Sequence, residues 1–172
     1  YLIGDFLNVS RLKTGKFIVE HNPVNLADIT QEEVEQLQST AQSRGITLVY
    51  EKPQHFPQLE LDDNKMRQVI MNFIDNAIFY SRSGGQVWIE LTKGKGEVVL
   101  RVRDSGIGVP VAERKNLFTK FYRATNARKA RPDGTGIGLF MAKKVIIAHG
   151  GALIFETTEG KGSVFGFRLP LE

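Results

Sequence analysis

The spacing of apolar and polar residues along the chain predicts alternating helices and short strands. Apolar side chains recur every three or four positions in residues 2–16, 62–80 and 137–149, which indicates helices. A further helix is predicted to start from a cap at Asp28 or Thr30 and to end at about Arg44. Alternating or short apolar runs predict extended segments over residues 17–20, 24–26, 46–51, 59–61, 87–91, 98–102, 152–157 and 163–169.

The order of these elements predicts the fold class. The strand pairs 87–102 and 152–169 are each joined by a short glycine-containing turn, which is typical of antiparallel hairpins. We therefore expect an α/β fold, a two-layer sandwich with a mixed, mostly antiparallel sheet and three helices on one face. Residues 105–138 contain little regular pattern, and a stretch of that length is typical of a functional lid or of a disordered segment.

Composition and charge narrow the classes of function. The hydrophobic fraction of 41% and the charged fraction of 24% are ordinary for a globular domain, and cysteine is absent, which excludes disulfides and thiolate sites. Residues 114–131 carry seven basic side chains and no acidic one, which indicates an anionic ligand or partner, or a solvated basic loop. The chain starts at Tyr1 inside a predicted helix, so we expect a fragment of a longer protein.

The run NFIDNA at residues 72–77 is the first motif with candidate chemistry. Asn72 and Asn76 are four positions apart, so their carboxamides lie on one face of the predicted helix. A carboxamide oxygen is a hard, neutral ligand that suits Mg²⁺. Taken alone, the pair is more typical of two solvated amides.

Two glycine-containing motifs follow. DSGIG at residues 104–108 places a carboxylate at a strand end, where it can accept a hydrogen bond from an amine, and its glycines allow close approach of the backbone. GTGIGL at residues 134–139 precedes a helix, whose first N–H groups can hold an anion. Singly, the two motifs also fit an ordinary turn and an ordinary helix start.

In this order and spacing, the three motifs resemble the asparagine box and the two glycine boxes of histidine kinases. That family lies in the superfamily of gyrase, heat-shock protein 90 and MutL ATPases. LFTKFYR at residues 117–123 resembles the phenylalanine box of the kinases, and residues 2–16 are similar to the end of their second dimerisation helix. The resemblance implies a Bergerat-type ATP-binding fold, with residues 1–20 as the end of that helix and a linker, and residues 21–172 as the catalytic domain.

The resemblance also implies roles for individual residues. Asn76 would hold Mg²⁺, and Asp104 would bind the adenine amine. Asn72, Asn76 and Arg123 would act at the phosphates as catalytic residues. The implied ATP-binding set is Asn72, Asn76, Tyr80, Asp104, Gly106, Ile107, Gly108, Lys120, Arg123, Gly134, Thr135, Gly136, Gly138, Leu139 and Ser163. Phe118 and Phe121 would anchor the lid.

Two positions depart from related patterns. Phe79 stands where the kinases often have a basic residue, which predicts weakened but retained ATP binding. Asn72 stands where hydrolytic relatives have a glutamate that activates water, and a carboxamide cannot serve as a general base. Phosphoryl transfer to an incoming imidazole stays possible, because that chemistry depends on metal, alignment and charge neutralisation.

The function we expect is ATP-dependent phosphorylation of a histidine in a two-component system. His21, His55 and His149 do not lie in an acceptor motif, so the acceptor would lie on the protein's own dimerisation domain outside this chain. The implied partners are ATP, Mg²⁺, that domain, a second copy in a homodimer and a response regulator. The resemblance implies a cytoplasmic location for this chain, whether or not the intact protein is anchored in the cell membrane. The alternatives are a gyrase- or chaperone-like ATPase, an anti-sigma-type serine kinase, and a nucleic-acid-binding module. The last of these leaves the asparagine box and the two glycine boxes without a role.

Overall fold

The chain forms seven strands and four helices within residues 18–112 and 137–171, which are the residues that the computed structural model describes. The predicted end of a dimerisation helix and most of the predicted lid lie outside these ranges. In chain order the elements are β1 (Asn22–Asn25), α1 (Leu26–Gln36), α2 (Gln38–Ser43), β2 (Thr47–Tyr50), β3 (Gln58–Leu61), α3 (Asp63–Tyr80), β4 (Gln86–Gly94), β5 (Glu97–Asp104), α4 (Ile137–Ala148), β6 (Ala152–Thr158) and β7 (Gly162–Pro170).

Five of the strands form one mixed sheet in the order β2-β4-β5-β7-β6. β2 runs parallel to β4, and the remaining neighbours are antiparallel. β1 and β3 form a separate antiparallel pair. The predicted mixed, mostly antiparallel sheet is therefore confirmed, and both predicted hairpins are part of it.

One face of the sheet packs against the helices, because side chains alternate along each strand. Val87, Ile89 and Leu91 of β4 are buried, whereas Trp88 is only partly buried and Glu90 and Thr92 are exposed. α3 contributes its apolar stripe to this core, and it contacts α1, α4 and the central strands. The result is the two-layer arrangement that the sequence predicts.

The first predicted helix begins earlier than expected and is interrupted. Its cap is Asn25, whose side chain accepts hydrogen bonds from the N–H groups of Ala27 and Asp28, so the assignment of the cap to Asp28 or Thr30 was wrong. Thr30 lies inside the helix and donates its hydroxyl to the carbonyl of Leu26. A break at Leu37 divides the helix into α1 and α2, so the three predicted helices correspond to four helical segments in the part of the chain that the structure describes.

The extended segment predicted over residues 17–20 is not a strand in its described part. Residues 18–20 have no regular structure, and the N–H of Glu20 donates to the side chain of Asp62 instead of to a strand. β1 starts at Asn22, two positions before the predicted segment 24–26, because Asn22 pairs with Leu61 of β3. Among the helices described, none has the length and apolar character needed to cross a membrane.

Replacing the cap of α1 tests the new helix start. Asn25→Ala should lower the free energy of unfolding by about 1 kcal/mol, the usual cost of losing an N-cap side chain. Asp28→Ala is the matched control. It removes an exposed ion pair with Lys52 and an acidic group in the first turn of the helix, and it should cost less than the loss of the cap. Urea denaturation measures both values, and a larger loss for Asp28→Ala would contradict the assignment of the cap.

Candidate functional site

α3 presents a polar face beside its buried stripe. Asp62 caps the helix by accepting the N–H of Lys65, and α3 then runs without interruption to Tyr80. Phe73 is fully buried against the sheet, whereas Asn72 and Asn76 are only half-buried. Helical spacing therefore aligns Asn72, Asn76 and Tyr80 on one face, as the sequence predicts for the first two.

Asp104 ends β5 on the helix side of the sheet and is 6% exposed. Its Oδ1 accepts the N–H of Gly106 at 2.8 Å, and the N–H of Ser163 on the paired strand also donates to the carboxylate. Burial raises the pKa of Asp104 to about 6, and these two N–H groups only partly offset the effect. The site thus holds a buried carboxyl that changes charge close to neutral pH.

Gly106 brings the loop after β5 against the end of α3. A Cβ atom on Gly106 would lie 2.0 Å from the carbonyl oxygen of Tyr80, so the contact requires glycine. The loop that follows Asp104 is therefore fixed to the same helix turn that carries Tyr80.

The turn between β6 and β7 holds the other side of this loop. The N–H of Gly160 donates to the carbonyl of Ile107 at 2.7 Å, and the N–H of Val109 donates to Oγ1 of Thr157 at 2.8 Å. Oγ1 of Thr157 is 2.8 Å from Oγ of Ser163, which is almost fully buried beside Asp104. The loop of residues 104–108 is therefore clamped between α3 and the β6–β7 turn.

This geometry joins part of the predicted set of site residues. Asp104, Gly106, Ile107, Gly108 and Ser163 lie together, and Gly106 contacts the backbone of Tyr80. Leu139 in the first turn of α4 is half-buried against the core, and the backbone of Gly138 belongs to the same helix. Lys120, Arg123, Gly134, Thr135 and Gly136 lie outside the described residues.

Two site residues were missed by the sequence reading. Arg82 follows α3 and donates to the carbonyl oxygens of Ser105 (3.5 Å) and Gly160 (3.3 Å), which links three loops around Asp104. Thr157 carries the hydroxyl that orders Val109 and Ser163. Arg82 is an exposed residue after a helix and Thr157 lies in an ordinary strand pattern, so no local signal marked either one.

Phe79, the residue that departs from the kinase pattern, contacts a cation from another element. The guanidinium carbon of Arg44 lies 4.2 Å from the centre of the Phe79 ring, a cation–π geometry. The aromatic ring thus has a packing role at the end of α2, which accounts for a hydrophobic residue at this position.

Chemically, the site offers a buried hydrogen-bond acceptor next to a helix face with two carboxamides. A carboxylate fixed by backbone N–H groups suits a ligand amine, and the carboxamide of Asn76 suits a hard cation shared with ligand oxygens. Within residues 18–112 and 137–171, no group of three or more His, Cys, Asp or Glu side chains could hold a metal alone. A metal at Asn76 would therefore depend on ligand oxygens.

The chain is similar in sequence to bacterial sensor kinases. It is 32% identical over 171 residues to the adaptive-response sensory kinase SasA of Synechocystis sp., covering 99% of this chain and 44% of SasA. It is 30% identical over 171 residues to the sensor histidine kinase WalK of Bacillus subtilis, covering 98% of this chain and 28% of WalK. The chain thus spans less than half the length of these two relatives.

Solved structures of histidine kinases share the fold. Full-length ShkA in complex with AMPPNP superimposes with a TM-score of 0.84 at 26% identity, over 98% of this chain and 35% of ShkA. The catalytic domain of the histidine kinase ThkA superimposes with a TM-score of 0.73 at 25% identity, over 88% of this chain and 96% of that domain.

The sequence family described as histidine kinase-, DNA gyrase B-, and HSP90-like ATPases matches residues 61–172, which include α3, the loop after β5 and the β6–β7 turn. Because this match covers well over half of the chain, the chain belongs to the histidine kinase-, DNA gyrase B-, and HSP90-like ATPase family.

Proposed function

We propose that this chain is the part of a sensor histidine kinase that binds Mg-ATP and donates the γ-phosphoryl group to a histidine on a dimerisation domain. The observation that carries the proposal is the buried carboxyl of Asp104, clamped by backbone contacts beside the helix that presents Asn72 and Asn76. The similarity to SasA and WalK, both named as kinases, supports the same conclusion, and ShkA is a relative that binds AMPPNP.

Asp104 is the proposed acceptor for the exocyclic amine of adenine, in part through water. The N–H groups of Gly106 and Ser163 orient its carboxylate, and the carboxylate has capacity for a further donor. Gly106 and Gly108 form the floor under the base, Tyr80 packs against it, and Ser163 lies below it. Selection of adenine thus depends on one buried acceptor held in a fixed direction.

Asn76 is the proposed protein ligand of Mg²⁺, with Asn72 assisting near the phosphates. Mg²⁺ commonly takes one or two protein oxygens and completes its shell with phosphate and water, so a single carboxamide fits this donor set. The bound ion would neutralise charge on the phosphates. Asn76 would thereby orient the polyphosphate along α3, away from Asp104.

The segment between the two described ranges and the first turn of α4 would supply the rest of the proposed site. Gly134, Thr135, Gly136 and Gly138 would form the phosphate-facing turn before α4, with Leu139 behind it. Arg123 and Lys120 would contact the phosphates from the lid, with Arg123 acting in the transfer step. The seven basic residues of the stretch 114–131 have the charge that this role requires.

The partners in this proposal are those that the resemblance to sensor histidine kinases implies. Residues 1–20 would continue from the dimerisation domain that carries the acceptor histidine, and residues 21–172 would form the catalytic domain. The intact protein would be a homodimer that passes the phosphoryl group to a response regulator, with its ATP site in the cytoplasm. No nucleic acid is required.

Substitutions at the two ends of the proposed site should weaken ATP binding. Asn76→Asp places a negative charge beside the phosphates, and Asp104→Asn replaces the charged acceptor, so each should raise the Kd for Mg-ATP about 10- to 100-fold. Asn64→Asp in the exposed first turn of α3 and Asp28→Asn on α1 are matched controls with the same charge changes. Calorimetry at neutral pH measures the four Kd values, and wild-type affinity in both site variants would exclude this assignment.

ATP affinity should depend on the ionisation of Asp104. Because its pKa is raised to about 6 in the free protein, lowering the pH through 6 protonates the acceptor and removes the negative charge that the adenine amine prefers. The Kd should therefore rise as the pH falls from about 7.5 to 5 and level off above about 7. In Asp104→Asn this rise of the Kd at low pH should be missing. A Kd that depends on pH in this variant as it does in the wild type would contradict the role of Asp104.

Hydrolysis of ATP by the chain itself should be very slow. Asn72 cannot take a proton from water, and none of His21, His55 and His149 is expected to accept the phosphoryl group. Steady-state phosphate release and incorporation of labelled γ-phosphate should both stay near the background measured for Asn76→Asp. Brisk phosphate release would instead favour the gyrase- or chaperone-like ATPase reading.

A further inference from the structure

Asp62 connects α3 to the entering segment, residues 18–21 directly before β1. The residue is 6% exposed, and its Oδ1 caps α3 by accepting the N–H of Lys65. Its Oδ2 accepts the N–H of Glu20 at 2.9 Å and contacts Nζ of Lys65 at 3.3 Å. One carboxylate therefore fixes both the start of α3 and residue 20, two positions before β1.

His149 attaches a third segment to the same residue. Nε2 of His149 is 3.0 Å from the N–H nitrogen of Asp62, and Nδ1 is 2.7 Å from the carbonyl oxygen of Val145. An N–H can only donate and a carbonyl can only accept, so the ring is neutral, with its proton on Nδ1. His149 directly follows α4, and it thereby ties the end of α4 to the start of α3.

We propose that Asp62 and His149 are positioning residues that fix the entering segment, α3 and α4 relative to one another. Protonation of His149 releases this arrangement. The part of the inference that concerns ATP rests on the proposed function, in which α3 carries the asparagines and α4 follows the phosphate-facing turn. A change at this junction would alter how the entering segment is held and how the two helices are spaced.

Protonation acts through a direct conflict of donors. A proton on Nε2 would face the N–H of Asp62, so the hydrogen bond is lost and the Asp62 carboxylate becomes the favourable partner of the imidazolium. Turning towards the ring would withdraw that carboxylate from the N–H groups of Lys65 and Glu20. The release of Glu20 is thus coupled to the charge of His149.

The surroundings of His149 favour the neutral ring at neutral pH. Burial lowers the pKa of His149, His21 and Lys65 lower it further, and the Val145 carbonyl and Asp62 oppose them. His21 faces the ring edge-on, with the ring centres 5.5 Å apart. Because the pKa lies below its unfolded value of about 6.5, the stabilisation is complete above about pH 6.5 and is lost as the pH falls towards the folded pKa.

Amide hydrogen exchange and NMR titration of the chain test the junction without ATP. In the wild type, the amide shift of Asp62 should follow the titration of the His149 ring. Exchange protection of the Glu20 amide, corrected for its intrinsic rate, should fall about fivefold or more between about pH 7.5 and the pH at which the NMR titration shows the His149 ring to be protonated, the ratio that one ordinary hydrogen bond provides. The amide of Thr47, bonded to the carbonyl of Gly85, is the internal control and should not change.

Two variants identify the sensing group. His149→Gln keeps an acceptor for the Asp62 N–H and does not titrate, so it should preserve Glu20 protection at both pH values. His21→Gln removes the facing ring and should retain the pH response. A response that persists in His149→Gln or disappears in His21→Gln overturns the inference, as does constant Glu20 protection while His149 titrates in the wild type.

Calorimetry with Mg-ATP tests the coupling to the nucleotide helices. The ratio of the wild-type Kd to that of His149→Gln should rise about fivefold on going from about pH 7.5 to the pH at which the NMR titration shows the His149 ring to be protonated, and the contribution of Asp104 cancels because both proteins carry it. An unchanged ratio would exclude coupling to ATP. Absence of ATP binding at about pH 7.5 in both proteins would refute the proposed function. The exchange data would still test whether protonation of His149 releases the Glu20 amide.

Discussion

The packing of α3 against one face of the sheet is the constraint on which the site depends. The buried stripe that includes Phe73 and Ile74 fixes the rotation of the helix, so Asn72 and Asn76 lie away from the core. The same packing places the carbonyl of Tyr80 against Gly106, where no side chain fits. Apolar burial of about 1.5–3 kcal/mol for each large side chain thus holds polar groups that by themselves contribute little to stability.

At Asp104, the demands of folding and binding are opposed. Burial raises the pKa of this carboxyl to about 6, so ionising it at neutral pH reduces the stability of the folded chain. A ligand amine would restore the interaction that burial removes. The clamp formed by Gly106, Ser163 and the β6–β7 turn maintains the acceptor in place until a ligand arrives, which is how a preorganised polar site is expected to work.

Local sequence patterns predicted the elements and the motifs well. The stripe of α3, the two hairpins and the loop after β5 are marked by periodicity and by glycine, signals that depend only on neighbouring residues. The helix start at Asn25 was missed because Asp28 and Thr30 are also good capping types, and only the pairing of β1 with β3 places Asn25 at the turn into the helix.

Contacts between distant residues were outside the reach of these patterns. Asp62 and His149 are 87 positions apart, and each alone looks like an ordinary cap or helix end. Arg82 likewise reaches Gly160 across 78 positions. Such pairs are formed by the tertiary fold, so they became visible only when the helices and turns were placed in space.

The ionisation of Asp104 in the free and ATP-bound protein is the most direct test of the account. The carboxyl ¹³C resonance of this residue can be followed by NMR from about pH 4 to pH 8. The account predicts an apparent pKa of about 6 in the free protein and a clear decrease when Mg-ATP is bound, because the adenine amine favours the ionised form. An ordinary pKa near 4 in the free protein, or no change on adding ATP, would contradict it.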